Sequence, residues 1–339
     1  MDVPSSQFSK DGVELGMEGK VLVTGSSVDD ELLEPLRQAG LTVSNPKHLL
    51  TEPELRQELA SAVAYLLGGE EYATANAISD AGSLRVIAFL GVGYESFIDA
   101  PSASRRGIRV TNTPGTLTNS VSEFTVGLIL NATRRITQYV NSYRRGERGT
   151  EEKQRDLESM TVGIIGLGNL GTQIARLVGS FGSELLYYSR TRKPDLESEL
   201  GLRFCSLVEL VESSDVIVVM TPGNETTHGM LNSSVLSRAR PGSILINTAR
   251  REVVDPAALR EGLKSGAISV AAYDDFYEGE IGSELLRDFS DDRLLVTGHI
   301  ASLTSNARDG MARMAVQSIL NILADGKDEH IVNRDDLIN

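Results

Sequence analysis

The sequence is poor in cysteine, in cationic residues and in long apolar runs, and each shortage removes a class of protein. Only one cysteine, Cys205, occurs in 339 residues. No intrachain disulfide can form, and the clustered thiolates of a structural zinc site are missing, so no metal centre is expected. No span of about 18 continuous apolar residues is present, which argues against a membrane-spanning helix. Lysine and arginine number 33 against 47 aspartate and glutamate, a formal net charge of −14. That balance works against non-specific binding to nucleic acid or to an anionic membrane surface. The opening MDVPSSQFSKDGVELGM lacks the basic-then-apolar order of a secretory leader. The resulting expectation is a soluble, cytoplasmic protein that binds neither nucleic acid nor membrane.

What is present is an ordinary globular composition, 40% hydrophobic and 24% charged, over a length that suits two domains. Residues 1–17 are polar, lack periodicity and read as an N-terminal extension. From Lys20 onward, short apolar runs such as KVLVTGS, AVAYLLG and LRVIAFLGVGY alternate with amphipathic stretches such as DDELLEPLRQAG and EPELRQELAS. This is the pattern of βα units around a largely parallel sheet. One long helix is expected from Ser120 to about Arg148, followed by GERGTEEKQRD as a surface loop and candidate crossing between domains. Further strands are expected at DVIVVM, SILINT, SVAAYD and RLLVTG. The segment from Asn306 to about Ala324 reads as a helix that docks back on the first domain. No internal repeat or low-complexity tract is evident.

The strongest local signal is Gly166-Leu-Gly168-Asn-Leu-Gly171, a G-x-G-x-x-G run. It follows the apolar strand TVGII and opens the helix GTQIARLV, which is the context a dinucleotide site requires. Gly166 permits the tight turn, Gly168 leaves room for a pyrophosphate, and Gly171 allows close packing of helix on strand. The helix amino end offers backbone donors to the phosphates. A carboxylate about 20 residues further on usually accepts the ribose hydroxyls of NAD. Here the strand tip holds Ser189, 23 residues after Gly166, followed by Arg190 and Arg192. Serine does not repel a 2′-phosphate, and the arginines can donate charge-assisted bonds to it. NADP(H) is therefore favoured, with NAD(H) possible.

Several further motifs occur in a fixed order: GVGYESFID, RGIRVTNTPG, VSEFTVGLIL, SDVIVVMTPGNETTHGMLN, PGSILINTARREVVD, AAYDDFYEGE and VTGHIASLTSNAR. Together with the nucleotide motif, and over nearly the whole chain from about residue 18, the sequence resembles the D-isomer-specific 2-hydroxyacid dehydrogenases. The resemblance implies that Arg250 binds and polarises a 2-keto acid and that His299 exchanges a proton with the carbonyl oxygen. Both roles fit the residue types. Three departures stand out: Arg251 follows Arg250 where the family commonly has glycine, Gly298 precedes His299 where proline is frequent, and Glu95-Ser96-Phe97 alters the spacing after the GVGY loop.

The resemblance also implies an acidic partner for the histidine. Counted without a gap from Arg250, its position falls on Gly279, between Glu278 and Glu280. Arg250 and His299 stand 49 residues apart, a slightly long spacing, and a one-residue insertion brings Glu280 into register. Glu280 is taken as the partner, with Glu278 as the alternative. Val92, Gly93 and Tyr94 match the loop whose backbone amides bind the substrate carboxylate. Candidate cofactor contacts extend to Asn169 and Leu170 within the glycine motif, to Thr221 and Pro222, to Thr248 and Ala249, and to Asp274, with Arg250 and His299 lying against the same ligand.

The expected architecture is α/β: two Rossmann-like domains with parallel sheets flanked by helices and an interdomain active-site cleft. Residues 18–118 plus 309–339 form the substrate domain and 119–308 the dinucleotide-binding domain. The expected activity is NADPH-dependent reduction of a small 2-keto acid, glyoxylate or hydroxypyruvate among the first candidates, to its D-2-hydroxy acid. The resemblance implies a homodimer through the nucleotide domains. Two alternatives stand beside this reading: a nucleotide-binding regulatory or corepressor-like protein with little turnover, and an NAD-dependent oxidant of D-2-hydroxy acids.

Overall fold

The structure is a computed structural model that describes residues 16–25, 28–147 and 154–337. Within these residues the chain divides into two compact units, one running to Thr116 and resuming at Ser305, the other spanning Leu117–Thr304.

The first unit holds five parallel strands, β1 (Lys20–Val23), β2 (Thr42–Ser44), β3 (Ala62–Leu67), β4 (Val86–Phe89) and β5 (Arg109–Thr111), in the order β2-β1-β3-β4-β5. Alternation along each strand sends side chains to opposite faces. Leu22, Tyr65, Leu67, Ile87 and Phe89 enter one core, while Val21, Val23, Ala64, Leu66, Val86 and Ala88 enter the other. The second core is closed by the helix Ser305–Asp325, through Ala312, Ala315, Val316, Ile319 and Ile322. That helix is continuous, so the second crossing falls at its amino end, after Thr304, rather than at the expected 308/309. The first crossing falls after Thr116 rather than 118.

Residues 1–15 of the expected extension lie outside the described residues. Met17 belongs to the first unit instead: its N–H donates to Ala39 O at 3.0 Å, and it packs against the second of the two cores.

The second unit holds seven parallel strands in the order β12-β11-β10-β9-β6-β7-β8. They are β6 (Thr161–Ile165), β7 (Glu184–Tyr188), β8 (Leu202–Phe204), β9 (Val216–Val219), β10 (Ser243–Asn247), β11 (Ile268–Tyr273) and β12 (Leu294–Val296). β9, VIVV, shows why such runs are apolar throughout: Val216 and Val218 enter one core, and Ile217 and Val219 the other. A sheet covered on both faces leaves no exposed side to favour polar residues.

Two expectations change here. The long helix divides into Thr118–Thr133 and Ile136–Arg144. Arg135 between them is left-handed, with φ 49°, and Asn131 Oδ1 accepts from Thr137 N at 3.0 Å and Thr137 Oγ1 at 3.1 Å. The side chain of the first helix thus holds the start of the second, a local cause for the break. The segment 146–156 is not a crossing, because Leu128, Ile129 and Ala132 already pack with Val162 and Ile164 of the second unit. Residues 148–153 of that segment lie outside the described residues. No described helix is long and apolar enough to cross a membrane, and no group of three or more His, Cys, Asp or Glu among the described residues is placed to hold a metal ion.

Candidate active site

The glycine motif turns the chain from β6 into the helix Asn169–Gly179. Gly166 has φ +102°, and a Cβ there would come within 2.6 Å of Met220 O. A Cβ on Gly171 would overlap Gly166 O, so the helix rests directly on the turn. Gly168 differs, with nothing within 4 Å of the Cβ position. The first intrahelical bond runs from Thr172 N–H to Gly168 O at 2.9 Å, leaving the amides of Asn169, Leu170 and Gly171 ahead of it. Thr221 and Pro222 follow β9, the neighbour of β6, and Thr221 N lies 2.9 Å from the Cβ position of Gly166.

The two arginines beyond β7 have different surroundings. Arg192 donates through Nε and Nη2 to Glu197 at 2.9 and 2.8 Å. Glu197 also accepts from Tyr187 OH at 2.7 Å, and the guanidinium, then the phenol, hold its carboxyl down to about 2. Arg192 is therefore engaged by the helix Pro194–Leu200 that follows its loop, against the expectation that it serves a phosphate. Arg190 is exposed and pairs with no other described residue. Ser189 Oγ donates to Thr191 O at 2.6 Å, which tightens the turn between them.

Arg250 follows β10 through Thr248 and Ala249. Thr248 Oγ1 lies 2.7 Å from Thr125 Oγ1, while Asn247 Oδ1 accepts Ala249 N–H at 3.1 Å and Asn247 Nδ2 donates to Arg250 O at 3.0 Å. The half-buried guanidinium of Arg250 spends one bond on Ala249 O, at 2.9 Å, and its remaining donors have no partner among the described residues. Gly223 faces it, and a Cβ there would approach Arg250 Cβ to 3.0 Å.

His299 follows β12. It is exposed, takes φ 55° although it is not glycine, and has no hydrogen-bond or ion-pair partner among the described residues. Neither expected acid reaches it. Glu278 pairs with Arg251 at 2.9 Å, and Arg251 also holds Asp275 at 2.9 Å and Phe276 O at 3.1 Å. Glu280 lies in the exposed first turn of the helix Gly279–Asp288. Arg251, the residue standing where the family commonly has glycine, draws the 275–278 segment to itself, and Gly279 at φ +68° then turns the chain into the helix.

Asp274 is also not open to a ligand. It is 4% exposed and lies beneath the His299 turn, accepting from Thr297 Oγ1 at 2.6 Å, Ile300 N at 2.9 Å and Ala301 N at 2.8 Å. Asn247 and Thr297, neither of them a candidate from the sequence, complete the two turns. The signal available was a polar residue closing each of two buried strands.

In the first unit, the loop after β4 is held by its carbonyls. Gly91 O accepts from Thr113 N at 2.8 Å, and Val92 O accepts from Tyr94 N at 3.0 Å and Asn112 Nδ2 at 3.1 Å. The amides of Val92 and Gly93 have no acceptor among the described residues. Successive free amides in a tight turn form a nest for an anion. Tyr94 does not extend that nest: its amide is spent on Val92 O, its ring packs against the core of the unit, and burial raises its phenol.

Comparison with known proteins accounts for this arrangement. Residues 126–301 match the family model described as D-isomer specific 2-hydroxyacid dehydrogenase, NAD binding domain. A protein named glyoxylate reductase from Thermococcus onnurineus (strain NA1) is 33% identical over 327 residues, covering 94% of this chain and 97% of that one. Among solved structures, the TT0316 protein from Thermus thermophilus aligns with a TM-score of 0.81 at 32% identity, over 92% of this chain and 99% of that one. The D-lactate dehydrogenase from Aquifex aeolicus, complexed with NAD and lactic acid, aligns with a TM-score of 0.79 at 27% identity, over 90% and 96%. With an arginine, a histidine and a dinucleotide turn on the strand ends of such a fold, the chain belongs to the D-isomer-specific 2-hydroxyacid dehydrogenase family.

Proposed function

We propose that this protein reduces a small 2-keto acid, of the glyoxylate or hydroxypyruvate type, to the D-2-hydroxy acid, with NADPH favoured over NADH. The observation that carries the reading lies on one sheet. A nucleotide turn follows β6, and a guanidinium and an imidazole, both with donors unpartnered among the described residues, follow β10 and β12. The likeness to a protein named glyoxylate reductase supports the substrate class.

The residues present suit a dinucleotide. Gly168 leaves open the space a side chain would fill, and the amides of Asn169 and Leu170 point out of a helix amino end toward a pyrophosphate. When bound, the nicotinamide supplies a hydride to the keto carbon. Within the first unit, the amides of Val92 and Gly93 suit a carboxylate. Arg250 donates to the substrate oxygens and offsets the negative charge that develops on the carbonyl oxygen. Protonated His299 gives its proton to that oxygen, leaving a neutral alcohol and a neutral imidazole; oxidation reverses the transfer. Arg190 and the absence of a carboxylate at Ser189 support the preference for a 2′-phosphate.

One observation favours a second reading. His299 has no carboxylate partner among the described residues, which suits a protein that binds the nucleotide but turns over little. A third reading, NAD-dependent oxidation of D-2-hydroxy acids, uses the same residues in reverse.

The proposed assembly is a homodimer. The helix Ile136–Arg144 leaves Ile136, Val140 and Tyr143 exposed on successive turns, an apolar stripe suited to a second copy. The proposed compartment is the cytoplasm, where a buried thiol such as Cys205 stays reduced.

The test is initial-rate consumption of NADPH, with NADH in parallel, against glyoxylate, hydroxypyruvate, pyruvate and bulkier 2-keto acids. Preferential turnover of NADPH with one of the smaller acids is expected, and it should fall ~100-fold or more in His299→Ala. Saturable nucleotide binding without turnover of any acid would replace this reading by the second, and reduction of NAD+ by D-2-hydroxy acids in preference to NADP+ would replace it by the third.

A further inference from the structure

Arg250 and His299 stand on turns after β10 and β12, with β11 between the two in the sheet, and a buried polar side chain braces each turn. β10, β11 and β12 end in register, with Asn247 opposite Tyr273 and Tyr273 opposite Val296. Asn247, 1% exposed, bonds on both sides of the peptide that leads into Arg250, through Ala249 N and Arg250 O. Asp274 does the same on a larger scale. Its three donors, Thr297 Oγ1, Ile300 N and Ala301 N, lie on both sides of His299. They close the turn around a residue whose left-handed backbone is unfavourable for any side chain. The two braces are joined directly, because Asp274 N–H donates to Asn247 O at 3.1 Å.

We propose that Asn247 and Asp274 are positioning residues for the reaction: Asn247 sets the aim of Arg250, and Asp274 holds the His299 turn in its left-handed form. The proposal rests on the roles given above to Arg250 and His299. Neither brace is needed for strand pairing, which ends at Tyr273 and Val296. Both are chemically specific. A carboxylate accepts on both oxygens, whereas asparagine at 274 would turn an amide N–H donor toward one of the three donors it now binds. Leucine at 247 keeps the approximate volume and deletes both bonds.

The test compares Asp274→Asn, Thr297→Val, Thr297→Ser and Asn247→Leu in the full chain. Since small misplacements of a reacting group cost ~100-fold in rate, Asp274→Asn should lower kcat by about that factor while KM moves less than ~3-fold. Thr297→Val should lower kcat in the same direction, and Thr297→Ser, which keeps the hydroxyl, should restore it. Asn247→Leu should act mainly on KM for the keto acid, raising it ~10-fold, because it loosens the group that grips the substrate.

A second readout needs no activity. The chain has four histidines, and the ring resonance of His299 can be assigned by its loss in His299→Ala. In the unliganded protein that resonance should shift or broaden in Asp274→Asn and stay in place in Asn247→Leu. An unmoved resonance, with kcat and KM as in the wild type and only the melting temperature lowered, would reduce both side chains to structural supports and overturn the proposal. A shifted resonance in a protein that turns over no keto acid would uphold the brace while the functional reading fails.

Discussion

At the tip of β7, Arg192 gives two donors to Glu197, while Arg190 gives none to any described residue. A charge-assisted bond is worth about 1.5–3 kcal/mol, so a free arginine facing a 2′-phosphate separates NADPH from NADH by ~10-fold or more. Arg190→Ala should therefore raise KM for NADPH by at least that factor and leave NADH nearly unchanged. Arg192→Ala should affect the two cofactors alike, since what it removes is the support of its own loop. Steady-state kinetics with both cofactors checks the pair, and a selective NADPH defect in Arg192→Ala alone would reverse the assignment. The sequence places both arginines at the right spacing but does not show which one Glu197 claims. Glu197 also carries a pH signature. Folding lowers its carboxyl from the ordinary 4.5 to about 2, first through Arg192 and then through Tyr187. The stabilisation is thus complete above about pH 4.5 and is lost as pH falls toward 2. Glu197→Gln should be less stable than the wild type near pH 7, with the gap closing between pH 4.5 and 2 in denaturant titrations. A gap independent of pH would mean that the charge of Glu197 contributes nothing.

Among the elements, the glycine turn gives the sharpest separation of folding from binding. Gly171 bears the helix on Gly166 O with no room for a methyl group, whereas Gly168 has open space beside it and an extended backbone that alanine can adopt. Gly171→Ala should lower the melting temperature markedly, because the helix must move off the strand. Gly168→Ala should leave the melting temperature within ~2 °C and raise the KM of either cofactor, since its methyl group fills the approach to the pyrophosphate. Thermal melts beside cofactor kinetics decide the matter, and a melting loss in Gly168→Ala comparable to that of Gly171→Ala would show that both glycines serve packing only. This motif was legible because strand, turn and helix are contiguous in sequence. The helix break at Arg135 was not: apolar spacing continues through it, and what stops the helix is a bond between Asn131 and Thr137. The turn at Gly279 was missed for a similar reason. Glu278 and Glu280 are placed by counting along the chain from Arg250, while Arg251, 27 residues upstream of Glu278, settles where the segment goes.

For the whole molecule, alternating apolar and amphipathic segments were enough to read two α/β halves, since each half buries its sheet on both faces. What the sequence could not supply is the set of links between strand ends, such as Asp274 to the 297–301 turn, which join residues more than 20 positions apart through backbone atoms that every residue possesses. Those links, like the glycine turn, fall entirely within the unit Leu117–Thr304, and this has a measurable consequence. A ligand at ~100 times its Kd adds about 2.7 kcal/mol to the state that binds it. For a unit of this size, that corresponds to a rise of roughly 5–10 °C in its unfolding transition. If the nucleotide is held by the second unit, the added stability should be concentrated there. Peptide-resolved hydrogen exchange with and without NADPH should then show slowing in β6, β7, β9 and the helix Asn169–Gly179, with β1 to β3 of the first unit unchanged. Equal slowing in β1 to β3 would mean that the two units unfold as one, and that nucleotide affinity cannot be tuned within Leu117–Thr304 alone.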